Sequence, residues 1–131
     1  MHKILIIEDD INSVRTLAKI LLLDGFEVMT AIDACQGFDL ALEKKPELVI
    51  MDLMLPAGGG LSVLKKIHAS EQISNMPVVV ITGMKDEGYK ENILNEGVKA
   101  FLTKPYDLEE LKTIIRNIFS NKEVSQISRS S

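Results

Sequence analysis

The stretch Leu48-Val49-Ile50-Met51-Asp52 sets four consecutive large apolar residues against a terminal carboxylate. Unbroken apolarity over so short a run marks a strand buried on both faces, as the central strands of a parallel sheet are. Three further runs end in the same manner. Ile4 to Ile7 leads into Glu8 and Asp9, Val78 to Ile81 into Thr82, and Phe101-Leu102 is followed two residues on by Lys104. In open α/β sheets ligands bind beyond the carboxyl ends of the strands, so all these polar groups are expected on one rim.

Helical patterns separate the runs. A first helix is expected from near Asn12, with Val14, Leu17, Ala18, Leu21 and Leu22 at helical spacing and Gly25 as its stop. Phe26 to Ala31 reads as the second strand, and Asp33 as the N-cap of a second helix with Phe38, Ala41 and Leu42 inward, ending at Lys44-Lys45-Pro46. Three consecutive glycines make Pro56 to Gly60 the most flexible stretch before the chain's end, ahead of a helix with Leu61, Leu64 and Ile67 inward. The fourth helix, Lys85 to Glu96, shows only Tyr89, Ile93 and Leu94 as an apolar face, so it is the expected moving part. Asp107 and Glu110 open a last helix carrying Leu108, Leu111, Ile115 and Ile118. Strand and helix alternate five times, which predicts a doubly wound α/β domain over residues 1–119 with helices on both faces. Residues 120–131 are polar and serine-rich and read as a tail or linker.

Composition limits the function. A length of 131 residues fits one domain, and 46% apolar with 26% charged residues is an ordinary globular balance. A net charge of −4 argues against direct nucleic-acid binding. No apolar run reaches the roughly 18 residues needed to span a bilayer. Ile4 to Ile7 is too short for a secretory signal, and Met1 immediately before the first strand favours a natural start. Cys35 alone permits no internal disulfide, which suits a reducing cytoplasm; it is expected as a buried or half-buried filler. His2 and His68 are expected on the surface away from the rim, without a second ligand at metal spacing.

The rim's chemistry points to phosphoryl transfer. Asp52 is the candidate nucleophile, able to form an acyl phosphate. Its charge repels incoming phosphoryl oxygens unless a cation intervenes. Asp9, Asp52 and a backbone carbonyl just after Asp52, that of Met54, would hold magnesium with waters, and Glu8 would act through water; manganese is the alternative ion. Lys104 supplies a compact positive charge and Thr82 a hydroxyl to the phosphoryl oxygens, and Gly83 keeps the approach open. Met54 and Met84 flank the site as apolar groups expected to hinder water. Taken singly, the acids could be helix caps, Asp10 above all, and Thr82 and Lys104 ordinary surface groups. Together they form a like-charged cluster that needs a cation to offset it.

These residues resemble the receiver domain of two-component response regulators over about residues 1–119, through Leu5-Ile6-Ile7-Glu8-Asp9-Asp10, Asp52-Leu53-Met54-Leu55-Pro56 with Gly60, Ile81-Thr82-Gly83, and Lys104-Pro105. The resemblance implies a five-stranded sheet of order 2-1-3-4-5, a cis Lys104-Pro105 peptide, and an Asp52 that accepts phosphoryl from a histidine kinase or phosphotransfer protein. It also implies a switch in which Phe101 moves inward as Thr82 moves toward the phosphate. Two departures stand out: Gly58-Gly59 replaces bulkier or acidic residues, and Phe101 lacks the hydroxyl of the frequent tyrosine.

The expected function is therefore a cytoplasmic signalling phosphoacceptor, not a turnover enzyme, with no bound organic cofactor. Its output would pass through a downstream protein partner, a self-dimer or a segment outside this chain, because the residues after helix five are too few for a DNA-reading module. The expected changing face is helix four, strand five and helix five. A haloacid-dehalogenase-like phosphatase is the rival, but it carries its nucleophile after the first strand with a second Asp two residues on, where this chain has Met54. A flavodoxin-like cofactor binder would need a Ser/Thr/Gly phosphate loop after strand one, where this chain is acidic.

Overall fold

Each apolar run becomes a strand. The computed structural model describes residues 1–55, 59–84, 86–120 and the backbone of 127–129. Strands β1 (Lys3–Ile7), β2 (Glu27–Ala31), β3 (Leu48–Met51), β4 (Val78–Thr82) and β5 (Ala100–Thr103) lie parallel in the order β2-β1-β3-β4-β5. The register sets Ile7 opposite Met51, so the next residues, Glu8 and Asp52, leave neighbouring strands at one level.

Period-two alternation in the strands feeds two cores. Leu5, Ile7, Val49, Met51, Val80 and Phe101 point to the side covered by α2 (Ala34–Lys44), α3 (Gly59–Ala69) and α4 (Glu87–Asn95). Ile4, Ile6, Ile50, Ile81 and Leu102 face α1 (Ile11–Leu23) and α5 (Leu108–Phe119) on the other side. Because both faces are covered, β1, β3, β4 and β5 need continuous apolar runs rather than alternating ones.

Four helices start on aspartate. Asp10, Asp33, Asp86 and Asp107 accept hydrogen bonds from backbone N–H groups in the first turns of α1, α2, α4 and α5, each worth about 1 kcal/mol. Asp10 is thus a cap. Gly25 and Gly97 follow α1 and α4 with φ of 93° and 89°, where a side chain would be strained.

Several local expectations are corrected. Leu22 is 57% exposed, because it turns onto the solvent edge of α1 beside Leu23. Cys35, expected to be at least half-buried, is exposed in the first turn of α2, where Ala34 and Gly37 take the inward positions. The expected start of helix four at Lys85 and the loop residues Pro56, Ala57 and Gly58 lie outside the described residues. Among the residues of α4 only Ile93 is buried, with Tyr89 and Leu94 partly packed, so this is the thinnest helical interface.

A sixth strand, β6 (Ile127–Arg129), joins the sheet parallel to β5, with Phe101 opposite Ser128. It falls within the segment read as a polar tail or linker. Composition did not announce it because the pairing is supplied by the open edge of β5, whose backbone donors and acceptors accept any extended segment in reach.

Gly60 shows how tightly the site-bearing loop is held. Its N–H donates to the Leu53 carbonyl at 2.8 Å, and a Cβ there would lie 2.6 Å from Leu53 Cα and 2.7 Å from the Asp52 carbonyl oxygen. Backbone cannot yield as a side-chain end can. Gly60→Ala is expected to lower stability by about 1 to 3 kcal/mol in urea titration, and to disturb Asp52 with it.

Candidate functional site

The topology dictates which side chain can serve Asp52. β5 is separated from β3 by β4, so a group at the end of β5 must pass over β4 to reach Asp52. A four-carbon lysine stem does this. The Lys104 ammonium donates to Asp52 Oδ2 at 2.8 Å and to Glu8 Oε1 at 2.6 Å, joining three strands' ends. Lys104 N–H also donates to the Thr82 carbonyl at 2.8 Å, which fixes the base of that stem. The Lys104-Pro105 peptide is cis.

The remaining carboxylate oxygens are also held. Asp52 Oδ1 accepts from Met54 N–H at 2.9 Å and Glu8 Oε2 from Asp9 N–H at 3.1 Å. Glu8 is 6% and Asp52 9% exposed, while the Lys104 side chain is one-third exposed. Burial pushes the Asp52 carboxyl up, but the hydrogen bonds from Lys104 and Met54 outweigh it, so its pKa falls below the ordinary value. Glu8 goes the other way: burial leads, the Asp52 charge adds to it, and Lys104 only partly compensates. Asp52 is therefore the member of the pair that ionises first. Burial works against the Lys104 charge, yet its hydrogen bonds to Asp52 and Glu8 raise its pKa.

Not every expected member joins this trio. Asp9 is exposed and contributes its N–H to Glu8. Thr82 is fully buried, and its hydroxyl oxygen accepts from Met84 N–H at 3.3 Å. Gly83 has open space around its Cα. Phe101 is 1% exposed with the Lys90 ammonium 5.8 Å above its ring, so it already occupies an inward position. His2 lies at the opposite end of the sheet, bonded to Glu47 at 2.6 Å and stacked on Phe119.

The donor chemistry fits a divalent ion. Two buried carboxylates, Glu8 and Asp52, share one ammonium, leaving one net negative charge, and Asp9, next to Glu8 in sequence, is exposed. Among the described residues no three acidic, His or Cys side chains already converge as a cage.

Spacing gave no hint of a cleft of about 420 Å³ that runs from Glu8, Asp52 and Lys104 between the start of α1 and Tyr106. Asn12, Ser13 and Thr16 form its polar wall and Ile6, Ile50 and Ile81 its floor. Tyr106 is distant in sequence from every α1 residue it faces, so only the folded β5–α5 connection reveals it.

A doubly wound parallel sheet with buried acids and a lysine at its carboxyl rim places the chain among the open α/β domains that present polar groups beyond their strands' carboxyl ends. The chain belongs to the response regulator receiver domain family, whose model matches residues 4–116. It is 36% identical over 127 residues to the response regulator ArlR of Staphylococcus aureus, covering 97% of this chain and 57% of that protein. It is 34% identical over 117 residues to the DNA-binding dual master transcriptional regulator RpaA of a Synechocystis strain, covering 88% of this chain and 48% of that one. The chain thus spans about half the length of these relatives. A two-component response regulator from Clostridium difficile superposes with a TM-score of 0.85 at 26% identity, covering 92% and 98% of the two chains. The protein is a receiver domain of two-component signalling. The phosphatase alternative finds no support, since the nucleophile candidate follows the third strand and the acid pair the first. Among the described residues no helix is long and apolar enough to cross a membrane.

Proposed function

We propose that Asp52 takes a phosphoryl group from the phosphohistidine of a histidine kinase or phosphotransfer protein, in a magnesium-dependent step that the domain itself catalyses. The observation that carries this is the single ammonium of Lys104 bonded at once to Asp52 and Glu8. Asp52 Oδ attacks phosphorus, the P–N bond to the donor imidazole breaks, and the imidazole leaves as the acyl phosphate forms. Bound through Asp9, Asp52 and the Met54 carbonyl, with Glu8 acting through water, magnesium or manganese would neutralise charge on the incoming phosphoryl oxygens. Lys104 then turns from carboxylate to phosphoryl oxygen, and Thr82 offers its hydroxyl to another.

The added charge shifts a pre-existing equilibrium in the face made by α4, β5 and α5, with Thr82 and Phe101 as its switch residues. Thin packing of α4 supports this, and a coupling of about 1 to 3 kcal/mol is typical of such devices. A protein donor suits the rim, where Ile11 at the start of α1, Ile32 after β2 and Met54 after β3 are 60%, 57% and 58% exposed. DNA binding is a printed property of RpaA; for this acidic chain of net charge −4 the output we propose is a downstream protein partner or a self-dimer, in the cytoplasm.

Incubation with acetyl phosphate and magnesium is the test. Intact-mass measurement should record one phosphoryl-sized gain that chelation of the metal abolishes; a gain that survives chelation would sink the metal step. Met54→Asn replaces an exposed apolar neighbour of Asp52 with a group able to orient water. Its acyl phosphate is expected to decay faster than wild type by about tenfold, timed by the same mass peak; an unchanged or slower decay would remove the shielding role.

A further inference from the structure

The outer edge of β5 is not free, and its occupant comes from this chain. Lys104 N–H donates to the Thr82 carbonyl on the β4 side, in step with the β4–β5 register, so by backbone alternation the N–H of Leu102 also faces β4 and that of Phe101 faces the other way, toward β6. With Phe101 opposite Ser128 in a parallel register, the Phe101 N–H is directed at the Ile127 carbonyl and the Arg129 N–H at the Phe101 carbonyl, while the N–H and carbonyl of Ser128 face away from β5. β6 is three residues long, against four or five in the five main strands, and it pairs on one side only. It also lies beyond residue 116, where the family match ends.

We propose that residues 127–129 are a displaceable cover on the β5 edge, docked while Asp52 is unmodified and released when Asp52 is phosphorylated. The release rests on the phosphoacceptor reading above; the docking does not. β5 leads two residues past Leu102 into Lys104, whose ammonium holds Asp52, and Lys104 N–H is tied to Thr82. A phosphoryl group on Asp52 gives Lys104 and Thr82 a new partner, and any shift of β5 that follows must be matched by each neighbour strand. The four-residue β4–β5 ladder, buried on both faces, can follow; the three-residue edge strand has fewest bonds to lose and lets go first. Release would uncover a row of backbone donors and acceptors on the face where the switch acts, a surface suited to an extended segment of a partner.

Amide hydrogen exchange read at Phe101 tests both halves. In unphosphorylated protein, a chain ended at Ser120 and the variant Arg129→Pro, which removes the β6 donor to the Phe101 carbonyl, should exchange at Phe101 at least about tenfold faster than wild type. Protection equal to wild type in both would overturn the cover. Wild type treated with acetyl phosphate and magnesium, with the phosphoryl gain verified by intact mass, should approach the Arg129→Pro rate. Slow exchange at Phe101 in protein that carries the phosphoryl group overturns the release while leaving Asp52 phosphorylation standing. A missing mass gain instead overturns the phosphoacceptor reading and the release with it, and the truncated and proline variants still decide the docking.

Discussion

Asp52→Asn is expected to show no phosphoryl gain from acetyl phosphate and magnesium under conditions where wild type is fully converted. The amide has no anionic oxygen to attack phosphorus, and no other carboxylate shares its place: Glu8 is the weaker acid of the pair and Asp9 is exposed. The substitution is nearly isosteric, and its oxygen can still accept from Met54 N–H as Asp52 Oδ1 does. One charge of a like-charged pair disappears and Lys104 keeps Glu8. Stability should therefore change by no more than about 1 kcal/mol, so that lost labelling reads as lost chemistry. A phosphoryl gain equal to that of wild type would place the acceptor elsewhere.

Lys104→Met is expected to damage chemistry and stability together. Removing one preorganised positive group from the developing phosphoryl charge typically slows such steps by about 10² to 10³. The fold loses too, since two carboxylates that are 8% and 10% exposed face each other without their cation. Removing one partner of a buried pair costs about 3 to 5 kcal/mol, and the one-third exposure of Lys104 argues for the lower end.

The pH dependence should also steepen. In wild type the folded Asp52 pKa is depressed, so its share of stability is present above the ordinary 3.8 and vanishes as pH falls through the folded value. Glu8 is raised above its ordinary 4.5, so its share is present below that value and is lost as pH rises through the folded one. Without the ammonium both carboxyls are raised, so the variant should gain stability as pH drops from about 8 to about 5. Urea midpoints across that range measure it; a variant whose midpoint runs parallel to that of wild type throughout would refute the role given to Lys104.

Much of this was legible in the chain because the informative residues are where local pattern and tertiary demand agree. Leu48 to Met51 must be apolar on both sides, so its burial needed no partner to be inferred, and Asp10, Asp33 and Asp107 announce helix starts by local chemistry alone. The site was legible for the same reason, since each polar group directly follows or closely trails a buried run. Spacing could not show that one ammonium would divide itself between Glu8 and Asp52, because that depends on how far Lys104 reaches across β4. Cys35 and Leu22 were misplaced where an apolar residue sat beside a helix's inward stripe and a rotation of one position decided its exposure. β6 was missed because its cause lies in another strand's edge.

Lys104 closes a bond with a residue 96 positions earlier in the chain. During synthesis, everything up to the fourth strand can emerge while the acids of the first and third strands still repel one another, and the compensating charge arrives almost last. On the proposed reading, a nascent chain halted before β5 would lack the group that offsets those acids, so competence to accept a phosphoryl group would coincide with completion of the domain.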